Sequence, residues 1–340
     1  MKMSNRYCRF ILLLTCLGIL SACQRSRTYF QRHIEVPEMH FVRFDSALLS
    51  VQEATLDADV QRLYSEFPDF MPVYVEDILG FPSADTVALK QALPQFLNDT
   101  LYGFAHTNAV EQQVFARVGD IEKPMAKAFA RVRWLYPDWE LPIVYLFVSG
   151  FQSAVYFVED GIAVGADMYL GKDYPYYQGV VHQYQLQTMR KECIPVDVVS
   201  AWLFRHIPYT SSKSRLLDQM IYRGKVMYLL SCLFDDLPPY EVMGYTKEQW
   251  DWSVYHERAI WHRMMDRRDL FRTEQRTIAS YLNDGPFTSE ISQDSPARLG
   301  TWIGWRIVES YMNHHEEVSL TDLMSNGDAQ LILEQSNYKP

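Results

Sequence analysis

The chain has 340 residues, a formal net charge of −10, 14% aromatic residues and five cysteines. An acidic balance of this size disfavours nucleic acid as a partner. Five dispersed cysteines do not make a cysteine-rich zinc site, which needs three or four clustered ligands.

The N-terminus reads in three zones: a basic start (Lys2, Arg6, Arg9), an apolar run from Phe10 to Leu20, and the exit Leu20-Ser21-Ala22-Cys23. That is the order of a secretory signal, and Leu-Ser-Ala-Cys is a bacterial lipobox. Residues 1–22 are therefore expected to be removed and Cys23 to carry the lipid, acyl chains such as palmitate included. The apolar run falls well short of the roughly 20 residues of a spanning helix. At about 0.8 kcal/mol per buried methylene, two or more chains hold a stable anchor. Removing three basic side chains makes the remainder more acidic still. Only Cys193 and Cys232 are then left as thiols, either joined in one disulfide or both free.

Residues 23–40 lack periodicity and read as the lipidated cysteine and its tether; 41–340 read as a single globular domain. From 41 to 136 the apolar spacing (Ala47, Leu48, Val51; Val60, Leu63, Tyr64) predicts a helical first lobe. From 141 to 170, β-branched and aromatic runs flank the turn signal Glu159-Asp160-Gly161 and predict a small antiparallel sheet. From 174 to 340 the spacing predicts helices over 177–190, 195–204, 214–234, 246–265, 275–282, 298–313 and 320–324. The fold class is thus α+β, mainly helical: a small antiparallel sheet followed by a helical half.

This order is also that of gluzincin-type zinc peptidases, where the helix after a small sheet carries H-E-x-x-H. Histidines four apart share one helix face and one Zn²⁺, and the glutamate polarises the bound water. Here the corresponding string is His182-Gln183-Tyr184-Gln185-Leu186. Gln183 cannot take a proton, Leu186 cannot bind a metal, and Arg223 stands where a later carboxylate ligand would be. The expectation is a peptidase-like frame without metal, cofactor or catalysis; against it stands the plainer reading of His182 as an ordinary helix histidine. His256 and His262 lie six apart, on different helix faces, and the adjacent His314 and His315 also diverge. No Gly-x-Ser-x-Gly elbow or phosphate-binding glycine loop occurs, and Cys193 has no neighbouring histidine. Asp167 and Tyr169 at a strand end, Asp173 beyond Gly171, and Glu257 with Trp261 are candidate cleft residues. The aromatics Tyr174, Tyr176, Tyr177, Trp250, Trp252, Tyr255, Trp302 and Trp305 suit either a binding rim or a large core.

Seven ordered strings carry a resemblance: Gly165-Ala-Asp-Met-Tyr-Leu-Gly-Lys-Asp173, Leu217-Asp-Gln-Met-Ile-Tyr-Arg-Gly-Lys225, Met243-Gly-Tyr-Thr-Lys-Glu-Gln-Trp250, Glu257-Arg-Ala-Ile-Trp261, Gly285-Pro-Phe-Thr288, Ser295-Pro-Ala-Arg-Leu-Gly-Thr-Trp-Ile-Gly-Trp305 and Ser336-Asn-Tyr-Lys-Pro340. Together, with Arg43-Phe-Asp45 as a weaker member, the chain resembles the gliding motility-associated lipoprotein GldB family. The resemblance implies an envelope lipoprotein of the gliding apparatus linked to type 9 secretion, with envelope proteins of that machinery as partners. Related domains resemble zinc peptidases that keep H-E-x-x-H; this chain departs from them at Gln183, Leu186 and Arg223. Gln24 after the lipidated cysteine, in place of an acidic retention signal, points to the outer membrane and its periplasmic face. A non-catalytic interaction or assembly factor, a hydrolase using a constellation such as His182, Asp167 and Glu257, and a structural scaffold are the three readings the sequence leaves.

Overall fold

Phe44, Leu48, Val60, Leu63, Phe70 and Tyr74, the apolar residues of the first lobe, all lose essentially their whole surface to one core. A computed structural model describes residues 29–30, 34–82, 85–99, 104–211 and 213–340. The lipobox, Cys23 and much of the tether lie outside the described residues.

After β1 (Phe41–Arg43) the first lobe runs through α1 (Phe44–Leu49), α2 (Leu56–Glu66), α3 (Phe70–Val73), which continues as a π turn over Tyr74–Ile78, α4 (Thr86–Leu97), α5 (Thr107–Gln113) and α6 (Gly119–Leu135). Asp85 caps α4 by accepting from the Ala88 amide at 2.9 Å. The sheet adds β2 (Ile143–Phe147), β3 (Val155–Phe157) and β4 (Gly161–Gly165). Phe70 meets Tyr145 and Phe147 of β2 at ring-centroid distances of 4.8 and 5.3 Å. The first lobe thus packs its aromatics directly onto one sheet face.

The sheet is mixed, in the order β1-β2-β4-β3. This corrects the expected antiparallel sheet. β1 pairs with β2 and β2 with β4 in parallel, while only β3 and β4 form an antiparallel hairpin. The physical reason is legible in β4: all five residues are buried, as in the continuous apolar runs of interior parallel strands rather than the alternation of an antiparallel edge. Gly161 and Gly165 bracket β4 where a Cβ would overlap the backbone of Ile143 and of Ser153.

The second half comprises α7 (Ile194–His206), α8 (Leu216–Leu233), α9 (Pro239–Met243), α10 (Lys247–Asp266), α11 (Gln275–Leu282), α12 (Leu299–His314), α13 (Leu320–Ser325) and α14 (Ala329–Gln335). Thirteen of the eighteen residues of α8 are buried, so it is the central rod of this half. Capping boxes at Thr246/Gln249 and Ser319/Asp322 start α10 and α13. Gly244, at φ 70°, ends α9 in the left-handed conformation that favours glycine. None of the described helices is long and apolar enough to cross a membrane.

The helix expected over 177–190 does not form. Residues 183–185 are turns, and beyond the 3₁₀ turn that Tyr177 ends, Leu186–Thr188 makes a single further 3₁₀ turn. Both ends of the segment are pinned: the Tyr177 hydroxyl donates to Asp167 O at 2.7 Å and accepts from the Leu170 amide, while the Gly171 amide donates to Met189 O at 2.7 Å. Gly179 adds a left-handed kink at φ 79°. The segment folds back as a loop instead of winding forward.

Candidate functional site

Four of the seven family-like strings meet around one cavity of about 280 Å³. Met168 and Tyr169 arrive from the turn after β4. Met243, Gly244 and Tyr245 come from the end of α9, Gly285 from the loop after α11, and Ala297 with Arg298 from the start of α12. Helices α7 and α8 supply Asp197 and Met227.

The cavity wall is built by local hydrogen bonds. Thr288 closes the loop ahead of α12, donating from its amide and hydroxyl to Pro296 O and accepting from the Leu299 amide. Arg298, left-handed at φ 58°, donates to Met243 O at 2.6 Å and pairs with Asp284 at 2.9 Å. The Tyr245 hydroxyl donates to Ala297 O, and Gln187 donates to Gly244 O at 3.2 Å. Glu241 is taken by Arg190.

Asp197 is the reactive group of the wall. Tyr169 donates its hydroxyl to Asp197 Oδ2 at 2.9 Å. Burial lifts the Asp197 carboxyl to about 6, against the opposing pull of that hydrogen bond and of Arg298. Burial together with the Asp197 charge pushes the Cys193 thiol up to about 12, far from a thiolate nucleophile at neutral pH. Cys193 and Cys232 are not joined in a disulfide.

The other residues singled out by sequence lie elsewhere or do other work. Asp167 is wholly buried and is corrected from a cleft group to a structural one. It accepts from the Ser149 and Phe151 amides at 2.7 Å each, holding the left-handed Gly150-Phe151 turn that leaves β2. Glu257 and Trp261 are on α10, away from the cavity. Glu257 accepts from Arg306 and from the Tyr338 hydroxyl, both at 2.9 Å, and Trp261 meets the Tyr338 ring at 5.2 Å. The strings containing Glu257 and Ser336 thus dock the C-terminal segment. Asp173 lines a shallower neighbouring depression with Lys172, Tyr174, Arg190 and Leu186.

His182 and Gln183 are exposed in the loop, with His182 stacked on Tyr184 at 5.4 Å. Arg223, on α8, donates to Leu282 O at 2.8 Å. No hydrogen bond or ion pair joins His182 to Arg223, and the four-residue spacing has no helix on which to act. Among the described residues no three His, Cys, Asp or Glu side chains gather to hold a metal ion. Trp250, Trp302 and Trp305 form an edge-packed cluster at 5.5–6.0 Å, with Trp302 and Trp305 buried: they are core.

Sequence reasoning passed over Asp197. Its signal is a lone carboxylate inside the apolar run Ile194-Pro-Val-Asp-Val-Val199. A charge there must find a donor or a cavity, and it finds both.

Compared with known proteins, residues 28–340 match the model of a family described as gliding motility protein GldB. No curated protein and no solved structure matches the chain.

Proposed function

We propose that this chain, which belongs to the gliding motility protein GldB family, is a lipid-anchored, non-catalytic interaction factor whose cavity receives a polypeptide segment of the motility machinery. Family membership ties it to that machinery. The finer reading rests chiefly on one observation: strings scattered over some 140 positions of sequence converge on one cavity, in which burial keeps the Cys193 thiol protonated at neutral pH. Anchoring through Cys23 after loss of residues 1–22, at the periplasmic face of the outer membrane, rests on the lipobox and on Gln24. The link to type 9 secretion partners rests on the family resemblance. The loop geometry around His182 lends nothing to a peptidase ancestry, so the reading uses the cavity and not that ancestry.

Site-specific photocrosslinking in a gliding host tests it. A photoreactive residue at Tyr184, on the cavity wall, should yield an adduct with a motility or secretion component. The same residue at the exposed Tyr255 should not. Equal adducts at both positions, or none at Tyr184, count against the cavity.

A hydrolase is favoured by one observation only, the Asp197 carboxyl near 6 beside Tyr169, within the range of a general acid or base. Peptide hydrolysis by the purified chain that Asp197→Asn abolishes would establish it.

A further inference from the structure

Four methionines, Met168, Met189, Met227 and Met243, line the same cavity as Asp197. Methionine is flexible and polarisable, and it accommodates alkyl stems of varied shape. Among the described lining residues the only cation is Arg298, facing three carboxylates, Asp197, Glu241 and Asp284. Arg298 is committed to Asp284, and Glu241 to Arg190 from outside the lining. Among the described residues, Asp197 has the Tyr169 hydroxyl on Oδ2, no cation within ion-pair distance and no donor on Oδ1. The wall is half polar, with Gln187, Ser200 and Gln249 beside the methionines, and a carboxylate in such a cavity gains most from a cation whose apolar stem can lie along the methionine side. At about 280 Å³ the space lies just below the usual range for small-molecule pockets. It suits one long side chain.

We propose that the cavity is a subsite for one cationic alkyl side chain, a lysine ammonium or arginine guanidinium, docked on Asp197 Oδ1 with its stem against the methionines. This rests on the reading of the cavity as a polypeptide receptor and names what that polypeptide must present. Glutamate is excluded by the carboxylates, and an uncharged chain leaves Asp197 uncompensated.

The test uses the full chain in detergent with ¹³C-methyl methionine. Its probes are short serine–glycine peptides whose central residue is lysine, arginine, norleucine or glutamate, together with free cadaverine. The lysine and arginine peptides should shift the cavity methionine signals at concentrations about tenfold or more below norleucine. Asp197→Asn, which keeps the shape and the Tyr169 contact, should erase that preference.

The unsubstituted protein supplies a second readout if the variant does not fold. Lowering pH from about 7.5 to about 5 protonates Asp197 while lysine stays charged, and the preference should fall about tenfold. Tyr169, Tyr184, Cys193, Glu241, Tyr245, Asp284, Arg190 and Arg298 are the other titratable groups around it. Of these, Glu241 is paired with Arg190 and Asp284 with Arg298. Norleucine binding as well as lysine, glutamate binding best, or a lysine preference unchanged at pH 5 would each overturn the proposal. Asp197-dependent binding of cadaverine without any peptide binding would uphold the cationic subsite and sink the polypeptide reading.

Discussion

Gly224 of α8 and Gly304 of α12 lie against each other's backbones: an ideal Cβ on Gly224 would overlap the Gly304 carbonyl, and one on Gly304 would overlap the Met220 carbonyl. The two glycines come from different family-like strings, and their pairing sets the closest approach of the two central helices. Gly304→Ala gains up to about 1 kcal/mol of helix propensity. The overlap is with rigid backbone, so overpacking of about 1–3 kcal/mol or more wins. The urea midpoint should fall in Gly304→Ala and in Gly224→Ala; a rise in either would mean the helices part at no cost.

Asp167→Ala should be among the most destabilising single changes outside the apolar core. It strands two buried amides, at about 1–3 kcal/mol each. Circular dichroism against urea measures the loss. A change under about 0.5 kcal/mol, ordinary for an exposed site, would contradict the role assigned to it.

Asp197 makes stability depend on pH with a definite sign. Its folded carboxyl titrates at about 6, against an ordinary 3.8. Between those values the folded state binds more protons, so this contribution is full below pH 3.8 and is lost as pH rises towards 6. Asp197→Asn should flatten that slope and stabilise the protein at neutral pH by up to about 3 kcal/mol, less whatever cavity water screens. Identical pH–stability curves for the two proteins would refute it.

His182→Ala should leave folding and motility unchanged, because His182 is exposed and stacks only on its loop neighbour Tyr184. Under the lipoprotein proposal, Cys23→Ala should release the protein from the membrane fraction and abolish motility. Fractionation and a colony-spreading assay read both. Motility lost in His182→Ala at normal abundance would return attention to the loop.

Most helices of the second half were legible because their signals are local. Gln275–Leu282 is bounded as the periodicity reads, and Thr246/Gln249 announces α10. The sheet was half legible: the runs around Val144 and Ile162 mark strands, but β2 and β4 pair in parallel because β3 takes the edge between them in sequence, and β1 joins from about 100 positions upstream. The loop over 177–190 deceived because Val180, Val181 and Leu186 imitate a helix face while Tyr177 and Gly171 hold its ends elsewhere. The site was legible only as separate strings. That Tyr169, Met243 and Arg298 share one cavity with Asp197 is a tertiary fact that spacing cannot carry.

Strand β1 also sits at a point of mechanical entry. It is an edge of the sheet, three residues long, and the Val144 amide of its neighbour donates to His40 O at 2.9 Å. Arg43 closes its end, bidentate on buried Asp45 at 2.8 Å and over the Phe115 ring at 3.9 Å. Tension arriving at Phe41 from the residues before it would load this short ladder and its arginine latch. Under such a load β1 could give way while the cavity of the helical half, far along the chain from β1, stays assembled.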